Sequence, residues 1–527
     1  MGNLWTADTI YTMIDEGHTV EAIYEEEGVI VDTGDYDSLK SQYNDRIEHE
    51  NYTPGTMLPG FIDSHLHIIG HGERLLRLDV TYETSRQALL KAVEDASKQL
   101  DPNEWLIAEG FNENNWDEPV VIHRRELDEI ATDNPIILTR VCRHAMVANS
   151  KAMALAGIDH DTDEPDGGVI ERDEHGDLTG FFLDQGQELL KQTMPEPDQA
   201  YLEKAITKSI DDLLSNGIVS GHSEDLSYYG GYQKTADAFR YTVGRDQRFR
   251  AHLLVHHEVV DDYINEQGVH GVQDDWLEFG AMKLFADGAL GGRTALLSQP
   301  YADDPSTHGV AIHTNDELES LVKKARSYDM TVAIHAIGDL AAENVLNVLE
   351  KHPPKRGAKD RLIHGQIMRY DLIKRMQVMP ISIDIQPTFV SSDFPWANDR
   401  VSADLIKTSY PWRSYLEAGI LCGGSSDAPI EEVNPLNGIA AAIDRRSQFD
   451  GQTYQTEQCL SVYDAVKLYT HYPAQIVGKG ERQGIIQSEA VADFVVLSDD
   501  ILQCSAEAIR SVNVTHTIVG GRVVYRK

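Results

Sequence analysis

The 527-residue chain has little cysteine, little positive charge and no long apolar run. Its four cysteines, Cys142, Cys422, Cys459 and Cys504, are far apart and show no Cys-x-x-Cys spacing. This excludes a thiolate zinc knuckle and suits a reducing compartment. The 46 basic residues stand against 86 acidic ones, a formal charge of −40. Such a surface repels phosphate backbones and anionic membranes, so neither nucleic acid nor a membrane is an expected partner. No stretch approaches the roughly 20 apolar residues of a membrane span, and the N-terminus lacks the basic, apolar and small-residue order of a signal peptide. A soluble cytoplasmic protein acting on a small molecule is the expectation. There is also no internal repeat, no low-complexity tract and no long acidic block.

What is present is organised in layers. The length exceeds one ordinary domain. Strand-like runs at 7–13, 20–24 and 28–32 are matched near the other end by 492–497, 514–519 and 522–525. Neither cluster buries a core alone, so residues 1–57 and 475–527 are expected to pair into a composite β-sandwich. Between them, Leu202, Ala205, Ile206, Ile210, Leu213 and Leu214 follow helical spacing and lead into a strand at 217–221. Further strands fit 250–256, 280–285, 331–335, 361–364, 381–385 and 420–425, with helices at 316–328 and 339–351. Together with the opening run at 58–67 this gives eight β/α units, an α/β fold built on a (β/α)8 TIM barrel over residues 58–71 and 201–474. Residues 72–200 are then an inserted α+β domain with its own helix at 85–100. It leaves the barrel directly after the first strand, so it is expected over the active-site mouth.

On that first strand, alternation turns His65 and His67 to one face, about 6–7 Å apart, where two imidazoles can close on one metal ion. Asp63 shares their parity. Other strand ends also carry polar groups: Lys283 on the fourth, His335 on the fifth, His364 on the sixth and Asp427 after the eighth. Singly, each is as readily a core histidine bonded to a carbonyl, a capping aspartate or a lysine reaching solvent. Together, at the end of a barrel where catalytic groups gather, they outweigh that explanation.

The ordered set 59–67, 283–288, 335–339, 363–364 and 426–429 resembles the amidohydrolase superfamily, in the branch that includes N-substituted formamide deformylases. The insertion resembles that branch through Trp116, His144, Asn149-Ser150 and Gly167-Gly168. Two stretches depart from it: 487–493 stands where Pro-Gly-Lys is usual, and His222-Ser-Glu-Asp225 is unusually polar after the second strand. The resemblance implies two divalent metal ions per chain, most often zinc. His65, His67 and Asp427 would hold one, His335 and His364 the other, and Lys283 would bridge them as a carboxylated lysine. A lysine among apolar neighbours loses its proton readily and can add CO₂ to give an anionic ligand. A metal-acidified water would attack as hydroxide, with Asp427 carrying the proton and Asp63 supporting the ligands. In the insertion, Trp116 would offer the substrate an apolar wall and His144 a hydrogen bond. The implied activity is metal-dependent hydrolysis of a non-peptide carbon–nitrogen bond, in a linear amide or N-formyl group. Two alternatives stay open: a deaminase with one metal and an unmodified lysine acting on a cyclic substrate, and a non-catalytic regulatory protein on the same fold. Whether the chain forms a homodimer is also open.

Overall fold

The computed structural model describes every residue except 131–132, 141–144, 166, 195, 246, 268–270 and 273. The chain divides into two units, Met1–His71 with Gln199–Lys527, and Gly72–Asp198. The barrel and the terminal strands therefore belong to one unit. The insertion ends at Asp198, because the helix Gln199–Ser215 already belongs to the barrel.

Eight parallel strands form the barrel: β1 (Phe61–Leu66), β2 (Ile218–Ser223), β3 (Arg250–His256), β4 (Leu277–Phe285), β5 (Val332–Ala336), β6 (Asp360–His364), β7 (Ile381–Ile385) and β8 (Leu421–Gly424). Each pairs with the next in chain order. Between β8 and β1 the joint is made beyond the β8 ladder, where Asp427 N donates to His65 O (2.9 Å) and His67 N to Ala428 O (2.8 Å). The residues proposed to bind metal thus also close the seam.

The helices form where capping and spacing direct them. Thr314 and Glu317 make a reciprocal capping box that opens Asn315–Ser327, and Asp339–Lys351 follows β5 as expected. Gln199–Ser215 buries Leu202, Ala205, Ile206, Ile210, Leu213 and Leu214. Just beyond its end Gly217 takes a φ of +78°, and a Cβ there would meet Val495 at 2.5 Å.

Strand register sorts the barrel side chains. His256, Lys283, Ala333, Arg361 and Ser382 lie in one row across β3 to β7, and Phe285, His335, Ile363, Asp384 and Gly423 in the next row on the same face. Barrels of this kind are usually filled by branched apolar residues. Here Leu254, Ala281, Ala333 and Ile363 make only a small apolar cluster. The rest includes buried polar groups. Arg361 donates from Nε to Asp384 (2.9 Å) and from Nη2 to Ser64 O (2.6 Å), and lies 3.4 Å from His222 Nδ1. His252 Nδ1 meets Glu278 at 3.0 Å, and the same carboxylate takes Lys479 at 2.7 Å. Gly280 leaves room for that imidazole, since a Cβ would stand 2.0 Å from His252 Nε2.

The two termini do pair, but as one seven-stranded sheet rather than as a sandwich of two. Its order is Arg522–Arg526, Val514–Val519, Phe494–Leu497, Ile47–Pro59, Gly2–Tyr11, Thr19–Glu26, Val29–Gly34. The halves join where 56–59 pairs antiparallel with Phe494–Leu497. Leu4 and Trp5 are successive in a strand and face opposite ways. Trp5 enters an apolar cluster with Ile23, Met57, Phe494 and Ile518, whereas Leu4 packs with Ala22, Tyr24 and Leu39 of the helix Tyr36–Tyr43. A helix therefore covers the face on which a second sheet was expected. Asp493, in the stretch that departs from the family pattern, fixes this sheet to the barrel by accepting from Arg250 Nε (2.6 Å) and Gly520 N (2.7 Å).

The second unit is α+β. Its six-stranded sheet runs Gly168–Arg172, Leu178–Asp184, Ala145–Ala148, Ile136–Arg140, Leu106–Phe111, Leu78–Asp79, with helices that include Arg86–Ser97 and Arg124–Ile130. Trp116 is 5% exposed in its core, beside Val80, Leu89, Phe111 and Leu127, and its indole N–H donates to Glu83 O (3.0 Å). Trp116→Ala is expected to destabilise this unit by about 3–5 kcal/mol. Denaturant unfolding checks the figure, and a change below about 1 kcal/mol would show that the ring is not needed for packing.

Candidate metal centre

The structure brings His65, His67, Lys283, His335, His364 and Asp427 together at the C-terminal end of the barrel. Asp427 Oδ1 is 3.6 Å from His65 Nε2 and 3.5 Å from His67 Nε2, and Lys283 Nζ is 3.3 Å from His65 Nε2. The His335 and His364 rings stand 4.5 Å apart, and His65 and His364 5.9 Å. Among the described residues, His65, His67 and Asp427 form the group whose ligand atoms all lie within 4.8 Å of one another.

His364 reaches this centre by an unexpected route. Its neighbour Ile363 sits in the inward row, so strand alternation would turn His364 outward with Leu362. A left-handed φ of 77° at His364 ends the alternation and returns the ring to His335. Asp427 is also left-handed, at φ 55°. Such backbone costs on the order of 1–3 kcal/mol at each residue and gathers at functional sites.

Neighbours fix which nitrogen of each ring is free. His67 Nδ1 bonds to Glu224 O (2.5 Å), leaving Nε2; His364 Nδ1 bonds to Gln386 Oε1 (2.8 Å), leaving Nε2; His335 Nε2 bonds to Gly288 O (3.1 Å), leaving Nδ1. Asp63 accepts from Ser426 Oγ (2.6 Å), Ser426 N and His65 N, so it ties β1 to the loop carrying Asp427. Burial pushes its carboxyl up to about 7. Asp287 accepts from the amides of Leu296, Ile337 and Gly338 and lies 3.5 Å from His335 Nε2, a loop-holding role.

The donor set suits a divalent cation: two imidazoles and a carboxylate converge on one point, with two more imidazoles and a lysine beside them. Burial, then the charge of neighbouring cationic groups, holds His65 and His335 well below the usual imidazole value. Burial takes His364 down to about 4. All three are thus in the neutral form that binds metal. His67 differs: burial lowers it, but the hydrogen bond and charge of Asp427, with Glu224, carry it up to about 9. The centre is negative enough to draw a proton to the place where a metal cation would serve instead. Burial also lowers Lys283, whose Nζ lies 4.5 Å from the Phe285 ring centroid.

Trp116 lies in the core of the other unit, and His144 falls outside the described residues. Sequence reasoning did not single out Glu224, Gln386, Arg361 or Asp384. A polar run straight after a predicted strand, His222-Ser-Glu-Asp225, was the available signal for the first, and a charged residue inside the apolar 381–385 run was the signal for the last.

The chain is 46% identical over 531 residues to a protein carrying an amidohydrolase name, YtcJ of Bacillus subtilis (strain 168), covering 100% of each. It is 27% identical over 494 residues to the N-substituted formamide deformylase of Arthrobacter pascens, covering 90% of this chain and 89% of that one. Its fold is similar to the crystal structure of an uncharacterized metal-dependent hydrolase from Pyrococcus horikoshii OT3, at a TM-score of 0.79 and 26% identity, over 96% of this chain and 99% of that one. Residues 54–525 match the amidohydrolase family, and the chain belongs to that family.

Proposed function

We propose that this protein is a metal-dependent hydrolase of carbon–nitrogen bonds other than peptide bonds, acting on a linear amide or N-formyl group. The observation that carries the reading is the convergence of His65, His67 and Asp427 beside Lys283. The deformylase among the relatives supports the choice of bond. His65, His67 and Asp427 would hold one ion and His335 and His364 a second, with Lys283 as a carbamate between them and zinc as the metal. Bound divalent ions supply Lewis acidity, which polarises a carbonyl and acidifies water. Asp427, held below the usual carboxylate range despite burial by its contact with His67, is an ionised base that can take the proton from attacking water and pass it to the leaving nitrogen. Asp63 and Ser426 keep that carboxylate's loop in place. Among the described residues no helix is long and apolar enough to cross a membrane, and Cys422, Cys459 and Cys504 are unpaired, which suits the cytoplasm.

Elemental analysis of purified protein is expected to give about two divalent ions per chain. Chelation should abolish amine release from a panel of N-acyl amines, and restored metal should return it. Folded, active protein without stoichiometric metal overturns the mechanism. One three-residue ligand group among the described residues also suits a one-ion site. One ion per chain, with ammonia released from cyclic substrates, would make the protein a deaminase.

A further inference from the structure

Glu224 follows β2 directly and keeps the parity of Ser220 and His222, so the polar stretch that departs from the family pattern aims a carboxylate at the centre. Its backbone is held there, with Glu224 N donating to Leu66 O (3.1 Å). The residue is fully buried. Oε2 accepts from Tyr228 Oη (2.6 Å) and lies 3.9 Å from His67 Nδ1, while Oε1 has no donor among the described residues. Its main-chain oxygen takes the His67 Nδ1 proton. One residue therefore braces the ring of His67 through its carbonyl and sets a carboxylate beside it.

A buried carboxylate oxygen without a donor is costly unless a cation stands near. Among the described residues, no lysine or arginine nitrogen is recorded within 4.0 Å of Glu224; the ion-pair partner is His67 itself. A cation held on the far nitrogen of His67 would meet that charge. A carboxylate behind a metal-bound imidazole fixes the ring, makes it a stronger ligand and adds attraction for the ion. We propose that Glu224 is a positioning residue of the metal centre, bracing His67 and supplying negative charge that tightens cation binding. This rests on the reading of His65, His67 and Asp427 as metal ligands. It adds to the family set a residue from β2 that takes no direct part in coordination.

The test is zinc affinity, measured on the full chain by competition with a chromophoric chelator and without substrate. Glu224→Gln keeps the shape, the carbonyl contact to His67 and an acceptor for Tyr228. It is expected to weaken zinc binding about 10–100-fold. The rise in Tm on adding zinc should be smaller in E224Q than in wild type, because less negative charge then faces the bound ion. Glu224→Asp, which keeps the charge with a shorter reach, is expected to fall between the two and serves if E224Q does not fold. Equal zinc affinity in E224Q, with a lower Tm in both metal-free and zinc-loaded forms, would reduce Glu224 to a packing residue and overturn the proposal. Equal zinc affinity with altered preference between cationic and neutral N-acyl substrates would make it a substrate contact, and also overturns it. Wild-type protein that binds no zinc overturns the proposed function and this inference together, whereas a failure confined to E224Q leaves the former standing.

Discussion

Lys283→Ala protein is expected to lose bound metal and more than about 10³-fold of hydrolytic activity, on the order of 4 kcal/mol in barrier. Lys283 is the basic group at the heart of the centre, 3.3 Å from His65 Nε2, and burial drives its amine toward neutrality. A neutral buried amine is the form that adds CO₂, and the resulting carbamate offers two anionic oxygens to neighbouring cations. A short carboxylic acid in the medium is therefore expected to restore part of both metal and activity by taking the place of the carbamate. Carbon-13 NMR after labelling with bicarbonate reads the modification directly. Retention of both metals by Lys283→Ala, with no carbamate signal in the wild type, would show that another group bridges. The hydrogen bonds that the Asp287 carboxylate accepts from three backbone amides argue against that residue as the substitute.

Arg361→Met is expected to be the most destabilising substitution inside the barrel, by about 3–5 kcal/mol in denaturant unfolding. The guanidinium is buried against Asp384 and Ser64 O, and its removal leaves Asp384 charged without a cation. Arg361→Met combined with Asp384→Leu should recover most of the loss, since two apolar groups of similar size leave no orphaned charge. If the double variant is as unstable as the single one, the hydrogen bond to Ser64 O, rather than the ion pair, is what matters. Metal content then becomes informative, because Ser64 immediately precedes His65 on β1.

Most of this arrangement was readable without coordinates because it depends on periodicity. Alternation put His65 with His67 and separated Lys283 from Met282 and Leu284, and each strand end fell within a few residues of its position in the structure. His364 shows where that reasoning stops. Alternation counts residues along an extended strand, and a single left-handed residue at the end reverses the direction of the side chain. Nothing in the letters Ile363-His364-Gly365 states the sign of φ, although the glycine that follows, itself left-handed, is a hint. The sheet shared by the termini was legible as a pairing but not as a single layer, because a run of alternating residues requires only that each face be covered. The helix Tyr36–Tyr43 does that covering on one side, and its short amphipathic pattern was lost among the strand signals around it. Arg361 and Asp384 were hidden for the opposite reason: a charged residue in a strand reads as exposed until its partner, on another strand, is known.

The pairing of the two ends also sets an order on the birth of the molecule. Tyr11 meets Asp500, 489 positions later, through a 2.8 Å hydrogen bond, and the strand that continues into β1 finds its neighbour at Phe494–Leu497. At a ribosomal pace of about 5–20 residues per second, that edge waits on the order of a minute for its partner. Contacts this distant in sequence form slowly, and an unpaired strand edge is open to wrong neighbours in the interval. A nascent chain released short of residue 494 therefore lacks the neighbour of the strand that runs into β1, and the terminal sheet becomes the property of finished molecules.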